Sequence, residues 1–163
     1  MRRSVRPVPG RRPPAERLLS RLAARFPPPG MREIAGVPLA APQAHVGKHA
    51  LLVTFRRDGS AVATPVWAAP AAGRLYVRTA RSSPKVARLR RDARVLIAPC
   101  TARGRPLGPP FEARAHVLGP ADEAIAERAL SEFYGRGRAL FEWSADRLRV
   151  DMCYLELDPA TAE

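Results

Sequence analysis

The sequence predicts an α+β fold in which a mostly antiparallel sheet curls towards a barrel. Six apolar, β-rich segments are separated by short turns, and two or three helical segments lie between some of them. The chain has no internal repeat and no regular alternation of strands with helices, so nothing indicates a parallel doubly wound sheet. Its 163 residues suit one domain with a sizeable core.

Three strands are predicted in the first half of the domain. An Arg-Asp-Gly turn signal separates a strand over 51–55 from a strand over 61–67. A second turn at 71–73 leads into a strand over 74–79. With such short links between them, the three strands predict a meander.

The middle of the chain predicts a helix over 83–92, then a strand over 94–100, then a loop over 101–110. The strand carries three consecutive apolar residues, a pattern typical of strands buried on both faces. The loop is rich in Gly, Pro and Arg, which do not favour regular structure together.

The last third predicts two strands and two helices. Alternating apolar and polar residues over 111–118 indicate a half-solvated antiparallel strand. Apolar residues at helical spacing predict a helix over 121–134, ended by Gly135, and a further short helix over 138–148. A strand over 150–157 closes the sheet, and the Asp-Pro pair after it is predicted to stop that strand.

A basic, proline-rich extension, residues 1–43, precedes the domain at 44–159, and a short tail, 160–163, follows it. The start of the extension has almost nothing to bury, so we expect disorder there. The segment 16–26 has an apolar stripe and predicts a short helix. Met31 is an alternative start of translation.

The formal net charge is +13, and Lys48 and Lys85 are the only lysines among 28 basic residues. Residues 1–32 contain nine arginines and one glutamate, a formal charge of +8, so the rest of the chain is only mildly basic. Such a segment favours contact with nucleic acid or an anionic surface. The domain itself has no helix-turn-helix, zinc-finger or RNP-like motif.

Metal sites and membrane spans have little support in the sequence. Cys100 and Cys153 lie in apolar strands without CxxC spacing, which predicts core thiols and is compatible with a reducing, cytoplasmic compartment. His45 and His49 precede a strand rather than sharing a helix face, so we expect no metal there. No segment approaches the roughly 20 apolar residues that span a bilayer, and the basic start of the chain lacks the apolar region of a secretory signal.

The start of the predicted helix at 83 is a candidate anion site. Ser82 and Ser83 offer side-chain oxygens as N-caps, Pro84 suits the first helical turn, and Lys85 adds an ammonium. Free N–H groups at a helix start favour a phosphate. A well-capped surface helix is the alternative interpretation of the same four residues.

Several short motifs resemble, in order and spacing, the deazaflavin-dependent branch of the pyridoxamine 5′-phosphate oxidase-like flavoproteins. They are TFRRDG at 54–59, TPVW at 64–67, LYV at 75–77, SPKV at 83–86 with RLR at 88–90, and APC at 98–100 followed by Arg103-Gly104. The resemblance covers about residues 45–158 and implies a split β-barrel of the FMN-binding type. It also implies a homodimer that holds coenzyme F420, or in sister branches FMN, in a groove between the subunits.

The resemblance carries binding roles to matching positions of this chain. These are Thr64, Pro65, Val66 and Trp67 along the tricyclic ring; Thr79 and Ala80 near the ribityl chain; Ser83 and Lys85 at the phosphate with Arg81, Arg88 and Arg90 nearby; and Pro99, Cys100, Arg103 and Gly104 from the partner subunit. Trp67 as a core aromatic and Arg103 as a solvated loop charge are the alternatives.

The implied function is that of an oxidoreductase, a reductase in type, that transfers a hydride between coenzyme F420 and an unidentified organic small molecule. Because the cofactor itself performs this chemistry, no protein nucleophile is required, and the sequence offers no catalytic triad. An FMN-binding flavoprotein of the same fold is one alternative. A nucleic-acid or anionic-surface binder acting through residues 1–32 is the alternative from another class.

Overall fold

The computed structural model describes residues 33–43, 46–135 and 150–159. The predicted helices over 16–26 and 138–148, the disorder expected at the start of the chain, His45 and the tail lie outside these residues. No helix in the described ranges is long and apolar enough to cross a membrane.

Seven strands and two helices make up the described part of the chain, in the following order. They are β1 His49–Phe55, β2 Ala61–Trp67, β3 Ala69–Ala71, β4 Arg74–Ala80, α1 Pro84–Leu89, β5 Arg94–Pro99, β6 Phe111–Val117, α2 Glu123–Tyr134 and β7 Met152–Pro159. The fold is α+β, as predicted. Helix α1 is shorter than expected, because regular structure ends at Leu89 and one further turn leads to Asp92.

The strands form one antiparallel sheet with the order β2-β1-β5-β6-β7-β4-β3. Its two outermost strands, β2 and β3, follow each other in the chain with only Ala68 between them. One continuous stretch of chain therefore pairs with β1 through its first part and with β4 through its second. The two edges of the sheet must meet at Ala68, so the sheet is curled into a barrel.

The predicted meander is wrong in one of its two pairings. Strands β1 and β2 pair as expected, but β2 is not hydrogen-bonded to β4. The short strand β3, absent from the prediction, takes that place and forms a hairpin with β4 across Ala72 and Gly73. Both turn residues have positive φ, 48° and 76°, as a two-residue hairpin turn with the twist of the flanking strands requires.

The barrel interior holds the main core. Its members are Val46, Ala50, Leu52, Val66, Ala68, Leu75, Val77, Val86, Leu89, Val95, Ile97, Phe111, Ala113, Ala115, Cys153, Leu155 and Leu157. Two of these, Val86 and Leu89, belong to α1, so this short helix plugs the barrel with its apolar side. That packing fixes the helix relative to the strands around it.

Two smaller clusters lie outside the barrel. On the outer face of β1, β2 and β5, Ile34 packs with Leu51, Val53, Ala63, Ala98 and Cys100. On the outer face of β3, helix α2 packs with Ala126, Ala129 and Leu130 against Ala69 and Tyr76. Strand β5 is therefore covered on both faces, which explains its continuous apolar run.

The sequence correctly predicts the alternation of strand β6 but not the end of strand β7. The alternation predicted for β6 is confirmed: Phe111, Ala113 and Ala115 are buried, and the residues between them are exposed. The stop predicted at Asp158-Pro159 is wrong, because β7 continues to Pro159, which pairs with Ala113. The ladder between β7 and β4 has ended at Leu157, so the missing N–H of Pro159 leaves no partner on β4 unsatisfied.

The interior packing predicts a large effect of truncating Phe111, which is fully buried and the largest side chain in the core. We expect Phe111→Ala to lower the free energy of unfolding by about 3–5 kcal/mol, because it removes apolar contacts and leaves a cavity. Chemical denaturation measures this change. The matched control is Ile125→Ala on the exposed side of α2, where 55% of the residue is accessible and the expected change is within about 0.5 kcal/mol. Equal losses in the two variants would contradict the assigned core.

Candidate functional site

The junction of β4 and α1 holds the polar groups that the sequence singled out. Ser83 precedes the helix with extended φ and ψ, and Pro84 occupies the first turn, as predicted. The side-chain cap expected from Ser83 is wrong, since Ser83 Oγ makes no capping hydrogen bond. At the start of the helix the Ala87 N–H donates to Ser83 O at 3.3 Å.

The hydroxyl of Ser83 is buried and has no hydrogen-bond partner among the residues that the structure describes. The residue is only 8% exposed. A buried polar group left unpaired costs about 1–3 kcal/mol. Such a group in a folded protein requires an explanation, and a ligand oxygen is one partner that would complete it.

Lys85 lies beside this hydroxyl in the sequence and is held in place by β4. Its Nζ donates a hydrogen bond of 2.8 Å to Thr79 Oγ1, and Thr79 is itself buried. The structure thus brings together two of the predicted positions, Thr79 and Lys85, next to a third, Ser83. A hydroxyl and an ammonium within one turn of chain form a donor set that suits a phosphate.

The three nearby arginines differ in what they contact. Arg81 is engaged by carboxylates, with Nε 3.1 Å from Asp151 Oδ2, and the hydrogen bond to Asp151 raises its pKa. Arg90 is exposed. Arg88 is half-buried, and its Nε donates to Thr54 Oγ1 at 2.7 Å, which turns it towards β1. Of the three, Arg81 is the least free to receive a ligand.

The four predicted ring-lining residues of β2 do not share one face. Val66 is buried in the barrel core, whereas Trp67 is half-buried outside it. The indole stacks on Tyr134 at 5.0 Å between centroids and meets the edge of His49 at 6.2 Å. Thr64 and Pro65 are half-buried on alternate sides of the strand.

Tyr134 makes contacts near the candidate site that the sequence did not predict. Its hydroxyl lies 2.6 Å from Lys48 O and 3.1 Å from Ala68 O, so it can donate its proton to either carbonyl beside the bend between β2 and β3. Burial raises its pKa to about 12. The only sequence signal was an aromatic pair, Phe133 and Tyr134, in the last turn of the helix before Gly135.

The end of β5 and the Arg88 side chain contact opposite ends of β1. Cys100 is beside His49, whose carbonyl accepts the Cys100 N–H at 3.1 Å, whereas Arg88 contacts Thr54 at the other end of β1. Five residues of extended strand separate these positions by about 17 Å. Cys100 therefore lies at the His49 end of β1, where Trp67 also pairs, and Arg88 lies at the Thr54 end.

The predicted side chains around Cys100 also point in different directions. Pro99 packs against the loop at Gly108, and Cys100 belongs to the outer cluster on β5. Arg103 is exposed at the tip of a tight turn, in which Gly104 has a φ of 82° and donates to Thr101 O. Burial raises the pKa of Cys100 to about 11, so its thiol stays protonated at neutral pH. Both cysteines are buried, as predicted.

Comparison with known proteins supports the fold. No family model and no curated protein matches it. Among solved structures, the heme storage protein HutZ from Vibrio cholerae has 15% identity, a TM-score of 0.52, and coverage of 71% of this chain and 83% of its own. A FAD-binding protein from Mesorhizobium loti has 14% identity and a TM-score of 0.50, covering 71% and 81%.

A heme binding protein from Mycobacterium smegmatis is similar at 18% identity and a TM-score of 0.50, covering 69% of this chain and 46% of its own. At identities this low, structural similarity establishes the fold alone. Together with the curled seven-stranded antiparallel sheet, the similar structures show that this chain has a split β-barrel fold.

Proposed function

We propose that this protein is an oxidoreductase that transfers a hydride between coenzyme F420 and a small organic substrate, with FMN as the alternative cofactor. The split barrel and the similarity to a FAD-binding protein support a flavin-type ligand. The short motifs shared with the deazaflavin-dependent branch support coenzyme F420. The observation that carries the proposal is the buried, unpaired Ser83 hydroxyl beside Lys85.

The residues around Ser83 fit the phosphate that coenzyme F420 and FMN have in common. Ser83 Oγ would donate to a phosphate oxygen and gain the partner it lacks. Lys85 Nζ would neutralise part of the negative charge, while Thr79 keeps the ammonium oriented through its 2.8 Å contact. Arg88 and Arg90 would add positive charge, and Ala80 would lie beside the ribityl chain.

When bound, the deazaflavin ring would supply two-electron hydride chemistry. The chain's own task is then to hold the ring and exclude water. Trp67, already stacked on Tyr134, offers a fixed aromatic edge for this purpose, and Thr64, Pro65 and Val66 belong to the same strand. The raised pKa of Cys100 argues against a thiolate nucleophile at this site.

We propose a homodimer because two parts of the predicted site lie apart within one chain. Pro99 and Cys100 lie about 17 Å along β1 from the Arg88 contact, too far to share a ligand phosphate with it. A second copy, related by two-fold symmetry, could bring its own turn at 101–105 to the Lys85 end. The site is then complete only in the dimer.

The first test exploits the unpaired hydroxyl. We expect Ser83→Ala to weaken cofactor binding by about five- to a hundredfold, the equivalent of one hydrogen bond of about 1–3 kcal/mol. The same change should leave the free energy of unfolding of the apoprotein equal or higher, because it removes a polar group that has no partner. Fluorescence titration with coenzyme F420, FMN and hemin, together with chemical denaturation, measures both quantities.

Lysine variants supply a matched pair for the same titration. Lys85→Ala should weaken binding of the phosphate-bearing cofactor by roughly ten- to a hundredfold. Lys48→Ala removes the only other lysine, which is exposed, and should change affinity less than about twofold. Equal effects of the two variants, or binding of hemin alone, would contradict the proposal. Tight FMN binding without coenzyme F420 would select the alternative cofactor.

Mixed dimers test the shared groove. Light scattering should give twice the chain mass for the wild type. A Lys85→Ala chain and an Arg103→Ala chain should each bind cofactor weakly alone. After unfolding and refolding together, hybrid dimers should regain one strong site, since one of their two grooves keeps both residues. Full binding by a stable monomer, or no recovery on mixing, would rule out the shared groove.

A further inference from the structure

A polar cavity lies where the chain after α1 meets the β1–β2 hairpin. Its volume is about 540 Å³, within the range of small-molecule sites. We call it the arginine pocket, after the residues that line it: Phe55, Arg56, Arg57, Gly59, Arg91, Asp92 and Arg94. None of these residues belongs to the proposed cofactor site.

Positive charge in the arginine pocket is only partly compensated. Asp92 forms an ion pair with Arg94, whose Nε and Nη2 lie 3.1 Å and 2.9 Å from the two carboxylate oxygens. Within the described ranges, Arg56, Arg57 and Arg91 form no ion pair. The nearby Asp58 instead accepts hydrogen bonds from the backbone and side chain of Ser60.

The guanidinium groups are held in place by neutral partners. Arg91 Nη2 donates to Phe55 O at 2.6 Å, and Arg56 Nη1 donates to Ser60 Oγ at 3.3 Å. Arg88, on the inner side of the same helix end, has its pKa lowered by burial and then by Arg56 and Arg91. The fold thus keeps several like charges close together, at an electrostatic cost that a bound anion would remove.

We propose that the arginine pocket binds a small molecule carrying two or more phosphate groups. Planar guanidinium forks match phosphate oxygens in pairs, and Arg56 and Arg91 approach the cavity from two different elements, the hairpin and the helix end. A concave site of this volume suits a compact ligand better than an extended polymer. This site does not depend on the proposed cofactor.

Isothermal titration of the full chain with inorganic tripolyphosphate tests the proposal. We expect one saturable site per chain, weakened at least tenfold in the Arg56→Gln/Arg91→Gln double variant. The control is Arg74→Gln/Arg128→Gln, which removes the same charge from exposed positions outside the pocket and should change affinity less than about twofold. Ser83→Ala should also leave this affinity unchanged, which separates the pocket from the cofactor site.

Two outcomes of the titration would overturn the proposal: no saturable binding, or equal weakening of binding in the two double variants. A third is that a single-stranded oligonucleotide binds through Arg56 and Arg91 and is not displaced by tripolyphosphate. The last result would make the surface a nucleic-acid contact. Circular dichroism and thermal unfolding check that the variants fold. If the double variant does not, Arg57→Gln on the exposed hairpin is measured alone, with an expected loss of at least threefold.

Discussion

The whole architecture depends on the bend at Ala68. This fully buried residue joins β2 to β3, the two strands at opposite ends of the sheet order, so the sheet has to curl until its edges meet. A side chain larger than alanine would enter the barrel core here. Tyr134 supports the bend from outside, with its hydroxyl within hydrogen-bond distance of the Ala68 carbonyl and its ring against Trp67.

Closure of the barrel creates the end that helix α1 fills, and this end holds both candidate anion sites. Val86 and Leu89 of α1 pack into the barrel core, and this packing sets the positions of the polar residues that flank the helix. Ser83 and Lys85 lie towards β4, and Arg91 lies towards β1. One six-residue helix thus lies beside two candidate anion sites, one with a buried hydroxyl unpaired within the described residues and one with arginines whose charge is only partly compensated. Both features cost stability in the free protein, as expected where a ligand supplies the missing partner.

Local patterns in the sequence predicted most of the strands, and long-range pairing accounts for what they missed. The alternation of β6 and the turn before β4 follow from residues a few positions apart. The β3–β4 hairpin in place of a meander, and the passage of β7 through Pro159, depend on neighbours that only the closed barrel provides. The same holds for the candidate site. Ser83 and Lys85 form a local motif that the sequence could predict. The Tyr134 contacts and the arginine pocket join residues from distant segments, so the sequence could not predict them.

The proposed cofactor site depends most on the contact between a cofactor phosphate and the Ser83 hydroxyl. A crystal structure of the protein with bound coenzyme F420, or with FMN if that is the tighter ligand, tests this contact. We expect a phosphate oxygen within hydrogen-bond distance of Ser83 Oγ and Lys85 Nζ, with residues 99–104 of the partner subunit closing the groove. A phosphate held in the arginine pocket instead, with the Ser83 hydroxyl still unpaired, would contradict it.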